Sequence, residues 1–254
     1  MSKSNAPTGA AAADAADPGR PAGAPEGTPT VEELVKVVAL DGPAGSGKST
    51  VARLTAERLG WRFVDTGATY RAVTLAVLRA GVDPEDAEGS LAAARAARVE
   101  LSTDPTSSGV LLDGEDVSLA IREPAVTAAV SAVSSHPELR GLLVELQRRA
   151  MGTEGAVVEG RDIATVVAPR AAVKVYLDAH PDVRAARRAG ELTDASREQV
   201  LAAILARDER DGQTNQLQPS GGAVHLDTTA LTLEQVVDAV VDLARRSPLL
   251  ARSS

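Results

Sequence analysis

An eight-residue run, Gly-Pro-Ala-Gly-Ser-Gly-Lys-Ser, constrains this chain more than any other feature. It follows a short apolar run, Val37–Leu40, and precedes a segment with helical periodicity, Thr50–Leu59. Its glycines let the backbone turn N–H groups toward a polyphosphate, and the N-terminus of the following helix adds a favourable field. Lys48 supplies a charge near the outer phosphates, and Ser49 is placed to hold a Mg²⁺ ion that bridges two of them.

The run therefore predicts a phosphate-binding loop (P-loop) for a nucleoside triphosphate. A structural glycine turn is the alternative, but the strand before and the helix after supply the context that a chance match lacks. The residues expected to hold the nucleotide are Gly42, Pro43, Ala44, Gly45, Ser46, Gly47, Lys48, Ser49 and Thr50, with Ser49 as the metal ligand.

Composition separates the start of the chain from the rest. Met1–Thr30 contains mostly small residues and proline, with almost no large apolar side chain to offset the entropy of ordering. We expect residues 1–33 to form a disordered tail and residues 34–254 to be globular. The run Ala11–Ala13 is too short for the apolar centre of a secretory signal, and no window reaches the roughly 18 apolar residues of a membrane span.

Charge and residue content narrow the range of partners. The formal net charge is −8, whereas a nucleic-acid backbone demands a basic face. One Trp, two Tyr and one Phe are too few to form stacking platforms for single strands. The chain has no cysteine and therefore neither disulfides nor thiol chemistry. We expect a cytoplasmic protein that binds small molecules, with no nucleic-acid or membrane partner.

The order of elements predicts an α/β fold. Helical spacing, as in Ala68–Arg79 and Leu91–Arg98, alternates with short apolar runs, which implies a parallel sheet flanked by helices on both faces. Two further runs, Val99–Ser102 and Val110–Leu112, are separated by turn residues and favour a hairpin-like excursion. The predicted strands of the main sheet are Val35–Leu40, Trp61–Val64, Ala156–Glu159, Val173–Leu177 and Ala223–Leu226.

Two polar motifs stand where predicted strands end. Asp65–Arg71 follows the second strand, and Glu159–Asp162 follows the third. In open α/β sheets ligands collect at this carboxyl edge, so Arg71, Arg161 and Asp162 are candidates for binding an anionic ligand. The alternatives are an ordinary helix cap with a solvated Arg71, and a surface salt bridge between Arg161 and Asp162.

Further arginines follow at helical spacing. Arg184, Arg187 and Arg188 lie at i, i+3 and i+4, so one helix face would carry three guanidinium groups. Like charges in this arrangement repel unless an anion lies opposite. A solvated face is the alternative there, and an intrahelical ion pair is the alternative for Arg207 and Asp211.

These motifs together resemble the bacterial cytidylate kinases over about residues 35–247. Several motifs in the right order are more specific than any one of them. The resemblance implies a nucleoside monophosphate kinase: a P-loop core, an acceptor-binding insert at about 65–155 and a short helical lid at about 181–197. It also implies MgATP as phosphoryl donor and CMP or dCMP as acceptor, and we expect a monomer. The segments that carry the resemblance are Asp41–Thr50, Asp65–Arg71, Glu159–Val167, Val173–Asp178 and Arg207–Asp211.

The resemblance also implies roles for single residues. Those implied to hold the acceptor monophosphate are Arg71, Arg161 and Arg207, and Thr66 is expected to bind the substrate as well. Those implied to read the cytosine edge are Ser131, Arg140 and Asp162. Asp211 is implied to accept hydrogen bonds from the ribose hydroxyls. Arg184, Arg187 and Arg188 are implied to close over the ATP phosphates, Arg187 as a nucleotide contact. The residues expected to be catalytic are Lys48, Arg161, Arg184 and Arg188.

One position departs from the family pattern. Similar proteins carry an arginine three residues after the position of Asp211, whereas this chain has Thr214. Loss of that charged donor keeps other acceptors open, such as UMP or a small metabolite. A nucleotide-dependent switch is a further alternative, but the chain lacks the Asn-Lys-x-Asp element by which GTP switches bind guanine.

Overall fold

The computed structural model describes residues 27–189, 197–214 and 221–251, apart from the side chains of residues 197, 199, 207 and 210–214. Five parallel strands form the central sheet in the order β2-β6-β1-β7-β8. In chain order they are β1 Val37–Asp41, β2 Arg62–Asp65, β6 Ala156–Gly160, β7 Val173–Asp178 and β8 Val224–Asp227. A small antiparallel sheet consists of β3 Val99–Leu101, β4 Val110–Leu112 and β5 Glu115–Asp116.

The helices connect these strands. In chain order they are α1 Lys48–Leu59, α2 Thr66–Arg79, α3 Ala87–Ala96, α4 Pro124–Ser135, α5 Pro137–Met151, α6 Pro181–Ala189, α7 Arg197–Thr214, α8 Leu233–Arg246 and α9 Pro248–Ala251. A 3₁₀ turn covers Ala120–Arg122, and a π-helical turn covers Ile163–Val167. None of the helices within the described ranges is long and apolar enough to cross a membrane.

Alternation along β1 divides the core into two layers. Val38 and Leu40 face a cluster that contains residues of α1 and α8, whereas Val37 and Ala39 face residues of α5 and the π-helical turn. Successive strand residues point to opposite faces, so a strand that is apolar throughout must be covered on both sides. The predicted α/β fold, a parallel sheet flanked by helices, is confirmed.

Residues between β2 and β6 build a second layer of structure. Leu75 of α2 packs in one cluster with Leu112 of β4, with Ile121 of the 3₁₀ turn and with Val126 of α4. Strands β3 and β4 pair antiparallel, as the turn residues between them predict. This segment leaves the central sheet at the carboxyl end of β2 and returns at the start of β6.

The start of α3 and the start of the packed chain differ most from the sequence prediction. Helix α3 begins at Ala87 rather than Leu91, because the Asp86 carboxylate accepts a hydrogen bond from Gly89 N at 3.1 Å and caps the helix earlier. The tail was predicted to extend to residue 33, yet Thr28 and Pro29 are buried. Leu34 is fully buried as well, so packed structure begins before residue 34.

Candidate active site

The P-loop between β1 and α1 changes direction at three glycine residues. Gly42, Gly45 and Gly47 have φ angles of 147°, 75° and 87°, a region that residues with a Cβ rarely adopt. At Gly42 a Cβ atom would lie 2.0 Å from the carbonyl oxygen of Leu177 on β7. The first glycine is therefore required both by its backbone conformation and by the close approach of the neighbouring strand.

The loop leaves donors open for an anion. Helix α1 begins at Lys48 without a side-chain cap and has no acidic residue in its first turn, so its first N–H groups are available. Ser46 is 2% exposed, and its hydroxyl has no hydrogen-bond partner within the described part of the chain. Lys48 Nζ donates to Pro43 O at 2.8 Å, which holds the ammonium group over the loop. A buried hydroxyl without a partner, a cation and open N–H groups together fit a polyphosphate.

Carboxylates adjoin the P-loop serine. Ser49 Oγ donates to Glu159 Oε1 at 2.7 Å, and Thr66 Oγ1 donates to Glu159 O at 2.8 Å. Burial and the nearby Glu159 carboxylate raise the pKa of Asp65, while the charge of Arg71 opposes this rise. The described residues include no group of three or more His, Cys, Asp or Glu side chains that could cage a metal. The hydroxyl and carboxylate oxygens fit a Mg²⁺ ion that is shared with phosphates rather than held by protein alone.

The loop that follows β6 contributes Asp162 to an ion pair with helix α5. Arg140 of α5 pairs with the Asp162 carboxylate, and its Nη1 donates to Ser134 O at 3.3 Å. The guanidinium of Arg140 lies 5.9 Å from the ring centre of Tyr70. Burial raises the pKa of Asp162, and Arg140 opposes that rise. Ser131, one turn before Ser134 on α4, is half-buried. The pair offers a planar donor and an acceptor side by side.

Arg161 connects the motif that follows β6 to the P-loop. Its Nη1 donates to Gly42 O at 3.3 Å, so the residue after β6 contacts the first residue of the P-loop. Arg71, one turn into α2, lies near enough for its charge to lower the pKa of Asp65. The strand register explains this meeting, since Asp41 of β1 pairs with Gly160 of β6. The structure thus brings the P-loop and both strand-end motifs to one edge of the sheet.

Arg184 of α6 does not lie on a solvated helix face. It is 5% exposed and donates to Ala44 O at 3.0 Å and to Asp208 Oδ2 at 2.6 Å. The alternative of a solvated arginine face is therefore wrong for this residue. A buried guanidinium needs a charged partner, and α7 supplies one through Asp208.

The two neighbouring arginines are placed differently. Arg187 donates to Thr228 Oγ1 at 2.9 Å and approaches Ser46 O at 3.5 Å, beneath the P-loop. Arg188 is exposed. The side chains of Arg207, Asp211 and Thr214 lie outside the described residues.

Sequence reasoning missed two buried polar residues in this region. Asp41 accepts hydrogen bonds from the backbone N–H groups of Ile163 and Ala164. Gln147 of α5 is fully buried, and its Nε2 donates to Thr69 Oγ1 at 2.9 Å. The acidic residue at the end of an apolar strand was a visible signal for Asp41. No comparable signal marked Gln147.

Comparison with known proteins assigns the family. The family model for cytidylate kinases matches residues 38–246. A cytidylate kinase of Mycolicibacterium paratuberculosis is 50% identical over 224 residues, which cover 85% of this chain and 98% of that protein. The cytidylate kinase of Corynebacterium efficiens is 46% identical and covers 83% of this chain and 95% of that protein. That of Nocardia farcinica is 48% identical, with 82% and 92% covered.

Similarity to solved structures is weaker. A gluconokinase from Sinorhizobium meliloti aligns with 87% of this chain and 98% of its own length, at 18% identity and a TM-score of 0.43. The assignment rests instead on the family match and on relatives that share almost half of their residues with this chain. The chain belongs to the cytidylate kinase family.

Proposed function

We propose that this protein transfers the γ-phosphoryl group of MgATP to the phosphate of CMP or dCMP, giving ADP and CDP or dCDP. The observation that carries the proposal is the contact between Arg161 and the P-loop, in which Nη1 lies 3.3 Å from Gly42 O. A guanidinium on the acceptor side thereby adjoins the loop that fits the donor's phosphates. A phosphoryl donor and an anionic acceptor bound there would lie close enough for direct transfer.

On the donor side, the P-loop backbone, Ser46 and Lys48 bind the ATP phosphates. Ser49 would hold Mg²⁺, and the Glu159 carboxylate that accepts from its hydroxyl would supply negative charge next to the ion. The ion, when bound, neutralises charge on the transferring phosphoryl group. Arg184 and Arg187 support the loop from below through Ala44 O and Ser46 O, and Arg188 remains exposed to reach the phosphates.

On the acceptor side, arginines hold the monophosphate, and the half-buried Arg140–Asp162 pair binds the base. Arg71, Arg161 and Arg207 bind the phosphate, and Thr66, the first residue of α2, also binds the acceptor. Arg140 donates to the carbonyl and ring nitrogen of cytosine, and Asp162 accepts from its amino group. Ser131 lies on the adjoining helix, and Asp211 binds the ribose hydroxyls.

The chemistry requires alignment and charge stabilisation rather than a general base. The second pKa of a phosphate monoester is about 6, so the acceptor is mostly dianionic at neutral pH and attacks without losing a proton to the enzyme. Lys48, Arg161, Arg184 and Arg188 offset the charge that spreads over the oxygens of the moving group. A closing lid excludes water, which would otherwise compete as acceptor.

The parts of the fold take matching roles in this proposal. The segment at about 65–155, with its small sheet and helices α2 to α5, is the acceptor-binding insert. The segment at about 181–197, which begins with α6, is the lid. The enzyme acts as a cytoplasmic monomer, so the lid has free space in which to swing.

The test is a calorimetric titration with CMP, dCMP and UMP in the absence of ATP. CMP or dCMP should bind about tenfold or more tightly than UMP, because the Asp162 carboxylate accepts from the cytosine amino group but would face a carbonyl oxygen at the same place in uracil. Arg140→Ala should remove most of this binding. Arg149→Ala, which changes an exposed arginine of the same helix, should not. Equal binding of CMP and UMP would overturn the assignment of the base.

A further inference from the structure

Asp41 is a buried carboxylate that the proposed chemistry does not use. It is the last residue of β1 and is 7% exposed. Its Oδ1 accepts from Ile163 N at 2.8 Å and its Oδ2 accepts from Ala164 N at 2.9 Å. Both donors belong to the start of the π-helical turn, whose N-terminal residue Asp162 provides no side-chain cap. Asp41 therefore caps a helical turn that lies 122 residues away in sequence.

These two hydrogen bonds fix one end of the loop that carries Arg161 and Asp162. The other end is fixed by Gly160, which pairs with Asp41 itself in the parallel sheet. At Gly160 a Cβ would lie 2.5 Å from Thr66 Oγ1, so this end of the loop has little freedom to shift. Only Arg161 and Asp162 lie between Gly160 and Ile163, so the loop is too short to absorb a displacement of either end. A movement of the π-helical turn must therefore move both side chains.

The same residue begins the P-loop. Asp41 immediately precedes Gly42, whose carbonyl oxygen accepts from Arg161. Charged groups act on Asp41 from both sides, Lys48 from α1 and Asp162 from the loop after β6. A buried carboxylate is costly, whereas a neutral cap such as asparagine or serine would avoid that cost but has only one acceptor oxygen. The Asp41 carboxylate accepts from both N–H groups at once, and so fixes the position of both.

We infer that Asp41 is a positioning residue, which holds Arg161 and Asp162 in register with the P-loop and so couples nucleotide binding there to acceptor binding. The inference rests on the proposed roles of these two residues. It predicts that a change in the P-loop alters the affinity for the acceptor. The change would pass through the two hydrogen bonds from Ile163 N and Ala164 N to Asp41, without contact between Asp41 and either substrate.

The test compares Asp41→Asn with the wild type in separate titrations of CMP and of the non-hydrolysable analogue adenylyl imidodiphosphate. The carboxamide has one acceptor oxygen and presents an NH₂ group to the second N–H, so the loop must shift. The Kd for CMP should rise by about tenfold or more, because small misplacements of binding groups are costly. The Kd for the analogue should change by less than about threefold. Asp86→Asn, which alters a cap of α3 on the insert, is the matched control and should leave both values unchanged.

A double-mutant cycle distinguishes positioning from general destabilisation. If Asp41 acts through the loop, adding Asp41→Asn to Asp162→Ala should weaken CMP binding by less than Asp41→Asn does alone, because one of the two residues that Asp41 positions is already absent. Equal weakening of CMP and analogue binding by Asp41→Asn, or additive effects in the double variant, would overturn the inference. Failure of the wild type to bind CMP would instead refute the proposed function.

If Asp41→Asn does not fold, hydrogen exchange of backbone amides in the wild type tests the coupling between the two loops. Filling the P-loop with adenylyl imidodiphosphate, without CMP, should slow hydrogen exchange at Ile163 and Ala164, since their N–H groups donate to the residue that begins the loop. Unchanged exchange at both amides would contradict the coupling.

Discussion

Ser49 Oγ donates a 2.7 Å hydrogen bond to Glu159 Oε1 and thereby joins the first turn of α1 to the end of β6. The two residues lie 110 positions apart in sequence. They meet because β1 and β6 are parallel neighbours, so both strands end at one edge of the sheet. The hydroxyl that is placed to bind Mg²⁺ is thus already oriented by a buried carboxylate.

Glu159→Gln should lower the apparent affinity for Mg²⁺ by about tenfold or more, because the carboxamide keeps a hydrogen-bond acceptor for Ser49 but loses the negative charge that supports the ion. The melting temperature should stay unchanged or rise, since the change removes the like charge that raises the pKa of Asp65. The measurements are initial rates against Mg²⁺ concentration and thermal unfolding. Glu57→Gln, an exposed position on α1, is the control. Unchanged Mg²⁺ dependence would contradict the assigned role.

Arg161→Ala should lower turnover with CMP by about two orders of magnitude or more, as expected for loss of a guanidinium that stabilises the transferring group. The melting temperature should shift by only about 2 °C, because the side chain is not part of an apolar cluster. Steady-state kinetics and thermal unfolding test the two statements together. Arg246→Ala, at the last residue of α8, should change neither the turnover with CMP nor the melting temperature. A large loss of thermal stability with normal residual kinetics would show that Arg161 is structural.

Gly42→Ala should destabilise the fold far more than Gly60→Ala. Both glycines have positive φ, but at Gly42 a Cβ would lie 2.0 Å from Leu177 O, whereas at Gly60 nothing lies within 4 Å. The Gly60 variant should therefore lose only about 1–2 kcal/mol from its left-handed backbone. The Gly42 variant should lose on the order of 4 kcal/mol or more, since β7 or the loop must move. Urea unfolding measures both changes, and equal losses would contradict the close approach of the loop to β7.

The stability of the wild type relative to Asp41→Asn should fall as pH rises. Burial raises the pKa of Asp41 to about 6 from an ordinary 3.8, so the folded state holds this proton more tightly than the unfolded state does. That contribution is fully present below the unfolded pKa and is lost as pH rises through the folded pKa. Between pH 4 and pH 7 the difference in unfolding free energy should therefore shift against the wild type by about 2 kcal/mol.

Urea unfolding of both proteins across this pH range provides the measurement, and the other titrating groups cancel in the difference. A difference that does not depend on pH, or that shifts in favour of the wild type, would mean that the two backbone N–H groups outweigh burial at this carboxylate.

Local signals explain what the sequence predicted well. The P-loop lies between a strand and a helix in contiguous sequence, and the turn residues between Val99–Leu101 and Val110–Leu112 determine a hairpin by themselves. The strand-end motifs could be placed at one edge because all strands of a parallel sheet end together. These inferences needed only the order of elements and the handedness of their connections.

Long-range pairing explains what the sequence could not predict. Arg184 is buried because Asp208 approaches from another helix, and spacing along α6 carries no information about that approach. The contact of Asp41 with Ile163 likewise depends on which strands are neighbours. At α3, the early start depends on a cap by Asp86, while the first apolar residue of the helical pattern follows four positions after the helix begins.

The measurement that tests the central claim most directly is ADP release from MgATP with CMP, dCMP, UMP, AMP or water as the acceptor, at matched concentrations. Strong stimulation by CMP or dCMP, with UMP and AMP near the level of water, is the predicted result. ADP release that is independent of the acceptor would contradict phosphoryl transfer, and equal use of UMP would contradict the reading of the base by Arg140 and Asp162.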